Sequence, residues 1–482
     1  MEHNLQIIVL FLFVFKTFGQ LENNCITKQS ILGGEHLICL NVSASYFQYS
    51  GLKLNKSHWV TCVGCNLNVI KENTFNFPKN NVSYLNFTQN NVLSIEPYSF
   101  SRFHLLKYLN LKENLIEYLD TKVFVGLRRL LHLDLSKNRF KIVRSNTFAE
   151  LESLDILNLN SNNISYLHND AFVGLINLKY LYLNRNKIKN LLADSFKHLN
   201  NLKILYLEEN KIKDIHPIAF NNLKNLNLLY LNDNAISYLV QYNFKQLTSL
   251  VDLQLRNNNL TEIQTSSFNG LTNLKFLYLG RNHLKTIQPY GLIGLNSLLI
   301  LDLIGNDFDE FNLDHFKNMY SLTTIWLEKN QIKNLTIEKN NDFMLSMKTL
   351  DIIDNQLKNF DYKLILKKMP NLQEVLIGGN QFDCEFFVEM KEFFQNRNVS
   401  VCLNGKCNQL ETENFVKKTC HNVILTSKKE KKVESDQENF INFENEHVIE
   451  DISLDFSTDS SNFVKIDLTL MIISIFASKC LF

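Results

Sequence analysis

Nine cysteines carry the most reactive side chains of this chain, and they are confined to its two ends. None lies between residues 66 and 383. Two groups of four flank that segment and one cysteine stands apart: Cys25, Cys39, Cys62 and Cys65; Cys384, Cys402, Cys407 and Cys420; and Cys480. Four cysteines at each end predict two disulfides per group, formed in an oxidising compartment, with three possible pairings in each group. The alternative for Cys62-x-x-Cys65 is a zinc site.

Asparagine could carry a second kind of chemistry, the attachment of N-linked glycans to an exported chain. Eight N-x-S/T sequons are present, and they begin at Asn41, Asn55, Asn81, Asn86, Asn163, Asn259, Asn334 and Asn398. Asparagine is common in this sequence, so some of these matches are expected by chance. The sequons therefore support export only modestly.

Catalytic motifs are missing from the sequence. It contains no G-x-G-x-x-G, Walker loop, H-E-x-x-H or G-x-S-x-G pattern, and its histidines are scattered. We therefore predict neither an enzyme nor a cofactor or metal site. A net charge of +1, with 45% hydrophobic and 21% charged residues, also gives no electrostatic case for nucleic acid or for an anionic membrane surface.

A repeat of 24 residues must position all of these side chains. Its asparagine recurs eleven times in strict register from Asn90 to Asn330, and further copies follow at Asn355 and Asn380. Apolar residues keep the offsets −8, −5, −3, +2, +5, +10 and +13 from this asparagine, which gives the pattern L-x-x-L-x-L-x-x-N-x-L. The alternating segment before the asparagine predicts a short strand that is buried on one face. An inward asparagine amide can satisfy backbone groups at the turn that follows.

Stacking is what makes such a repeat stable, because one coil cannot bury seven apolar side chains by itself. Phenylalanines at +10 should return to the core on the convex side. Cys65 occupies the asparagine position of a first coil and Cys62 occupies a leucine position. The predicted fold is an α/β right-handed solenoid with a parallel sheet on its concave face and a cysteine cap over each open end.

Aromatic residues fill many of the strand positions that point outward from this sheet. Position −4 holds Tyr182, Tyr206, Tyr230, Tyr278 and Trp326, and position −6 holds Tyr180 and Phe276. Polar residues flank them, with Asn184, Glu208, Asn232 and Arg256 at −2 and Arg281 at −1. Tyrosine, tryptophan and arginine commonly anchor protein interfaces. We interpret the ten residues Tyr180, Tyr182, Tyr206, Glu208, Tyr230, Arg256, Phe276, Tyr278, Arg281 and Trp326 as a ligand-binding surface; the alternative is a column produced by repeat duplication alone.

The repeats and cysteine groups resemble extracellular leucine-rich repeat proteins of the typical 24-residue class, including insect cell-surface proteins such as chaoptin and connectin. The resemblance covers Cys25 to Cys420 and implies recognition through the concave face. One departure concerns the C-terminal cap, which in this family usually opens Asn-Pro-x-x-Cys-x-Cys. Here Asn380 is followed by Gln381, and no second cysteine follows closely after Cys384.

Both ends of the chain carry apolar segments that are too short to cross a bilayer. The run Leu5–Phe15, with small residues at Thr17 and Gly19, predicts a cleaved signal peptide. The run from Leu468 to Ala477, after the small polar residues around Ser460, favours a glycosylphosphatidylinositol (GPI) signal with attachment at Ser460.

The predicted organisation follows from these segments. It comprises a signal peptide (1–19), an N-terminal cap (20–58), about fourteen repeats (59–383), a C-terminal cap (384–420), a disordered acidic stalk (421–462) and a hydrophobic tail (463–482). We expect a cell-surface recognition or adhesion protein with a protein ligand, attached to the membrane by a lipid anchor only. The alternative is a secreted soluble scaffold, innate-immune protein or carrier. Whether the ligand is a second copy of the chain stays open.

Overall fold

The computed structural model describes residues 24–29, 35–49, 57–75, 81–316, 319–339 and 342–404. The predicted signal peptide, acidic stalk and hydrophobic tail with Ser460 lie outside these residues, as do Asn55, Cys407 and Cys420. The predictions made for them are therefore not addressed by the structure.

A 17-stranded sheet runs through the whole described part of the chain. It opens with the hairpin Asn24–Gln29 and Glu35–Leu40, which is the one antiparallel pair among its described pairings. Parallel strands follow, one in each coil: Ser57–Val63, Tyr84–Asn86, Tyr108–Asn110, His132–Asp134, Ile156–Asn158, Tyr180–Tyr182, Ile204–Tyr206, Leu228–Tyr230, Asp252–Gln254, Phe276–Tyr278, Ile300–Asp302, Thr324–Trp326, Thr349–Asp351, Glu374–Leu376 and Ser400–Cys402. Equivalent residues pair between neighbours, as Leu181 does with Leu205, so the repeat offsets become columns on the sheet.

Further strands of two or three residues lie outside this sheet and pair in twos. These pairs are Val69–Ile70 with Ser94–Ile95, Ile142–Val143 with Tyr166–Leu167, Asn190–Leu191 with Asp214–Ile215, Glu262–Ile263 with Thr286–Ile287, and Glu310–Asn312 with Asn334–Thr336. Helices are few within the described residues: Ala44–Tyr49, Tyr362–Lys368, Cys384–Gln395 and the 3-10 turn Leu313–Phe316. The predicted parallel-sheet solenoid is confirmed.

The repeating asparagine forms a ladder through the solenoid, as its inward position predicts. Asn114 Oδ1 accepts hydrogen bonds from the N–H groups of Asn90 and Val92, each at 3.0 Å. Its Nδ2 donates to the carbonyl of Phe87 in the preceding coil at 2.7 Å and to that of Leu111 at 2.9 Å. The same pattern recurs up to Asn380. One side chain per coil thus satisfies backbone groups that lie beyond the strand ladder.

A second column stabilises the convex side. The phenylalanines at +10 are buried, and successive rings stack at centroid separations of 5.9–6.2 Å, as in the run Phe172, Phe196, Phe220, Phe244 and Phe268. Offset stacking adds to the free energy gained by burying each ring. The core is therefore continuous from coil to coil, and the concave strands are held in a fixed register.

The N-terminal cap differs from the prediction of two disulfides. Cys25 is bonded to Cys39 across the hairpin, whereas Cys62 and Cys65 are buried free thiols. The reason is that Cys65 takes the ladder position of the first coil: its N–H donates to Asn90 Oδ1 at 2.7 Å, and its thiol donates to the carbonyl of Cys39 at 3.7 Å. Burial raises the pKa of Cys62 well above its ordinary value.

At the C-terminal end, the helix Cys384–Gln395 covers the last coil. It begins at Asp383, whose side chain accepts a hydrogen bond from Phe386 N–H at 2.8 Å. The strand Ser400–Cys402 then continues the sheet beyond the last asparagine repeat. Cys384 and Cys402 are both disulfide-bonded.

Candidate binding surface on the concave sheet

Position −4 is the last residue of the concave strands from Tyr84–Asn86 to Glu374–Leu376, and it carries two main kinds of side chain. Asparagine or aspartate occupies six coils, and each side chain accepts a hydrogen bond from the N–H two residues ahead at 2.8–3.1 Å. These residues are Asn86, Asn110, Asp134, Asn158, Asp302 and Asp351. In these coils the outward side chain caps its own strand and so serves the fold.

Tyrosine replaces the capping side chain in three consecutive coils. Tyr182 and Tyr206 stack with ring centroids 4.5 Å apart and planes 7° apart, and Tyr206 and Tyr230 stack at 4.9 Å and 2°. These three residues are called the tyrosine stack below. Burial raises the pKa of all three hydroxyl groups, to about 12 for Tyr230, so the stack stays neutral at physiological pH. The spacing agrees with the distance of about 5 Å expected between adjacent strands.

Two acceptors without partners lie beside the stack. Among the residues that the structure describes, the buried side-chain oxygens that lack a hydrogen-bond partner are Asn184 Oδ1 and Glu208 Oε2. Both residues sit at −2 in adjacent coils, which are joined by the hydrogen bond from Arg185 N–H to the Glu208 carbonyl at 3.0 Å. Burial raises the pKa of the Glu208 carboxyl to about 7. Farther along the sheet, burial also raises the pKa of Asp252 to about 6.

Arg256 bridges the next part of the sheet. Its guanidinium lies 4.5 Å from the ring centroid of Tyr278 and forms an ion pair with the buried carboxylate of Asp302, two coils away. Gly280 lies between these coils, and a Cβ added there would come within 2.9 Å of Asp302 Oδ2. The absence of a side chain at Gly280 therefore makes room for the Asp302 carboxylate that Arg256 reaches. The sequence suggested Arg256 as a ligand contact, whereas the structure places its charge in an internal pair.

The other predicted surface residues divide by position. Tyr180, Phe276 and Trp326 lie on the concave strands and are half-buried. Arg281 is exposed at a turn residue with φ +54°, one residue before the ladder asparagine, and stands apart from the strand positions. Tyr180 borders the stack through its own strand, while Phe276 and Trp326 belong to the region around Arg256.

A second aromatic row was missed by the sequence analysis. Tyr84, Tyr108 and His132 occupy position −6 in three successive N-terminal coils, with ring centroids 6.0 and 6.1 Å apart and tilted planes. The signal was present in the sequence, since all three residues share one offset from their asparagines. Asn86 lies in the same strand as Tyr84, so its predicted glycan would adjoin this row.

The remaining sequons lie away from the tyrosine stack. Asn41, Asn81, Asn259, Asn334 and Asn398 are exposed, whereas Asn163 is half-buried just beyond its ladder position. Within the described ranges, no three His, Cys, Asp or Glu side chains are grouped so that they could hold a metal ion. The same ranges contain no helix long and apolar enough to cross a membrane.

Comparisons with known proteins agree with this architecture. The family model described as "Leucine rich repeat" matches overlapping windows that run from residue 80 to residue 308. No curated protein matches the chain significantly in sequence. The repeats, the sheet and the family matches together show that residues 80–308 are built of leucine-rich repeats.

Solved structures show the same fold. A leucine-rich repeat protein of Leptospira interrogans is similar with a TM-score of 0.58 and 21% identity, over 76% of this chain and 89% of that one. Drosophila Toll, in its complex with Spatzle, is similar with a TM-score of 0.57 and 22% identity, over 72% of this chain and 55% of that one. At these identities the similarity concerns the fold.

Proposed function

We propose that this protein is an extracellular recognition or adhesion protein that binds a protein ligand on its concave face, with the tyrosine stack at the centre of the contact. The carrying observation is the use of position −4. In six coils the side chain at this position caps its own strand. In the tyrosine coils the position instead holds a large, stiff aromatic ring that makes no cap.

Repeat duplication alone explains this arrangement less well. Duplication copies whatever occupies the position, and the common occupant is a capping side chain. Tyrosine has no acceptor that can reach the N–H two residues ahead, so each tyrosine coil gives up a hydrogen bond worth about 1 kcal/mol. Adjacent aromatics that are only half-buried also favour aggregation unless a partner covers them. A binding role accounts for both costs.

The charge of the surface favours protein over nucleic acid. Glu208, Asp252 and Asp302 line the central concave sheet, and the nearby Arg256 is already paired with Asp302. Negative side chains repel the phosphate backbone of a nucleic acid. Binding such a backbone requires unpaired lysine and arginine side chains on the protein surface. A chemical role in catalysis has no support in this arrangement, so the proposed role is binding only.

Export and membrane attachment are part of the proposal and rest on the sequence. The predicted signal peptide (1–19) and the predicted attachment at Ser460 favour a lipid-anchored ectodomain. The eight sequons and the two cysteine groups suit an oxidising compartment. The soluble alternative keeps the same binding surface and differs only in its release from the cell.

A capture experiment tests the binding surface. The ectodomain is immobilised and used to isolate partners from a library of cell-surface and secreted proteins, the chain itself included. Tyr206→Ala combined with Tyr230→Ala should abolish capture, because interface tyrosines often contribute about 2 kcal/mol or more each. Lys213→Ala, on an exposed convex position, is the control and should leave capture unchanged. A folded double variant that captures its partner as well as wild type contradicts the proposal.

Membrane attachment is tested separately. Cells expressing the full chain are treated with phosphatidylinositol-specific phospholipase C, which should release the protein into the medium. Spontaneous secretion without the enzyme would instead support the soluble scaffold, and retention after treatment would contradict the lipid anchor.

A further inference from the structure

The two unpartnered oxygens beside the tyrosine stack indicate what kind of group the ligand presents. Asn184 Oδ1 and Glu208 Oε2 are both acceptors, so neither can satisfy the other while the carboxyl is ionised. Leaving two buried acceptors without a donor is costly. A donor from outside the chain, placed between adjacent coils, would satisfy both.

The surrounding charges favour a cationic donor. The two arginines that border the stack are each engaged, Arg185 with Glu209 at 2.9 Å and Arg256 with Asp302. Glu208 has neither an ion pair nor a hydrogen-bond partner for Oε2 among the described residues, and Asp252 lies two coils farther on with only Gln254 hydrogen-bonded to it. Above about pH 7, where both carboxyl groups are ionised, the centre of the concave face therefore carries negative charge that no ion pair neutralises among the described residues.

The chain itself shows how a guanidinium fits on this sheet. Arg256 packs over Tyr278 at 4.5 Å and reaches the Asp302 carboxylate at the same time. Glu208 has no ion-pair partner among the described residues, and both faces of Tyr206 are covered by Tyr182 and Tyr230, so a guanidinium beside Glu208 meets the ring edges of the stack. A guanidinium is planar and donates in a fixed fork, which suits two acceptors that lie in adjacent coils.

We propose that Glu208 and Asn184, together with the ring edges of Tyr182 and Tyr206, form a subsite for an arginine side chain of the protein ligand. The ligand guanidinium donates to Glu208 and to Asn184 Oδ1 while it lies against the stack. Both oxygens are buried in the free protein, but the side chains of Asn184 and Glu208 are each half-buried, and rotation about the last torsion of each turns its oxygen toward the ligand. This inference rests on the proposed function and specifies the chemistry of the ligand.

The subsite should respond to pH. The pKa of the free Glu208 carboxyl is raised to about 7 by burial, and the neighbouring Glu209 and Asp233 raise it further while Arg185 lowers it. The tyrosines that face it, Tyr182, Tyr206 and Tyr230, stay neutral because burial raises their pKa values. Only the ionised carboxylate attracts a cation. Affinity should therefore be full above about pH 7 and decline as the pH falls below it.

The test uses a random dodecapeptide library displayed on phage and selected on the immobilised ectodomain at pH 8. Peptides that depend on the tyrosine stack should contain an arginine. Replacing this arginine by citrulline, its uncharged analogue, should weaken binding at least about tenfold, since it removes a charge-assisted hydrogen bond. Glu208→Gln should have a similar effect and should flatten the decline in affinity between pH 8 and pH 5.5.

Two controls separate the possible outcomes. Glu152→Gln changes an exposed carboxylate that lies outside the concave strands, and it should leave peptide affinity nearly unchanged. Tyr206→Ala with Tyr230→Ala reports on the proposed function itself. Peptides that need these tyrosines but tolerate citrulline and Glu208→Gln overturn the arginine subsite and leave the binding surface intact. Peptides that tolerate the tyrosine variant, or a library that yields no peptide, contradict the proposed function.

Discussion

Two regions of one sheet use the same backbone position in opposite ways. In the N-terminal coils, Asn86, Asn110, Asp134 and Asn158 turn their side chains back to cap their own strands. In the central coils, Tyr182, Tyr206 and Tyr230 form a stack instead. The strands pair in the same register in both regions, so the backbone does not impose the difference.

The comparison teaches that a repeat protein can assign a position either to its fold or to its surface. Capping side chains return beyond the stack at Asp302 and Asp351. Among the repeats from Asn90 to Asn355, six coils therefore lack a capping side chain at position −4. They carry Tyr182, Tyr206, Tyr230, Gln254, Tyr278 and Trp326 there. The inward side of these coils is unchanged, because the asparagine ladder and the apolar core continue through them.

The largest expected effect concerns the ladder, which both regions share. Asn114→Ala and Asn210→Ala should each lower the free energy of unfolding by about 1–3 kcal/mol, because carbonyl and N–H groups lose their partners. The upper end should apply to Asn114, which is 4% exposed, and the lower end to the part-buried Asn210. Thermal and urea unfolding of the capped repeats checks this. Unchanged midpoints for both variants would show that the ladder does not support the sheet.

The next effect concerns the carboxylate that borders the central region. Asp302→Ala removes both a strand cap and the partner of Arg256, and should cost about 2–3 kcal/mol, the range for hydrogen bonds to charged groups. Asp351→Ala is the matched control, since Asp351 caps Ile353 N–H in the same way and has no ion pair in the described residues. Equal losses of stability for the two variants would mean that the pair with Arg256 contributes nothing.

A smaller effect should follow from exchanging the two kinds of side chain at −4. Asn110→Ala should cost about 1 kcal/mol, because Lys112 N–H loses its acceptor. Conversely, Tyr206→Asn should be more stable than Tyr206→Ala by a similar amount, because asparagine restores the cap. Chemical unfolding of the three variants measures both differences. If asparagine and alanine at position 206 give the same stability, the capping account of this position is wrong.

A last effect on stability should be the pH dependence contributed by Glu208. Its pKa is raised from 4.5 to about 7 in the folded chain, so the folded state holds a proton that the unfolded state has already released. Stability from this group is therefore full below about pH 4.5 and is lost as the pH rises to about 7. Relative to wild type, Glu208→Gln should gain stability between pH 5 and pH 8. Parallel melting curves across that range would contradict the assignment.

Much of this structure could be predicted from the sequence because the repeat fixes register. One offset per residue placed the leucines inside, put the ladder asparagine at the turn, and set Tyr182, Tyr206 and Tyr230 about one strand spacing apart. Spacing of this kind depends on the backbone alone. The continuous Phe172-to-Phe268 column follows for the same reason.

The hydrogen-bond, ion-pair and disulfide partners of individual side chains could not be predicted from the sequence, because each side chain has several possible partners. An outward Asn86 could face solvent, a ligand or its own backbone, and only the structure shows the bond to Thr88 N–H. Arg256 finds Asp302 across 46 residues because Gly280 lacks a side chain, which no single repeat reveals. The even number of N-terminal cysteines predicted two disulfides with the pairing left open, whereas among the described residues Cys25 is bonded to Cys39 and Cys62 and Cys65 are free thiols.

The measurement that tests the central claim most directly is the affinity of Tyr206→Asn with Tyr230→Asn for the partner captured by the wild-type ectodomain. These substitutions restore capping side chains to the coils and remove the stacked rings, so the fold is kept while the surface is changed. The account predicts that the affinity falls by about 100-fold or more. The circular dichroism spectrum should match that of wild type, and the stability should exceed that of the double alanine variant. An undiminished affinity in this folded variant would show that the tyrosine stack is not the binding surface.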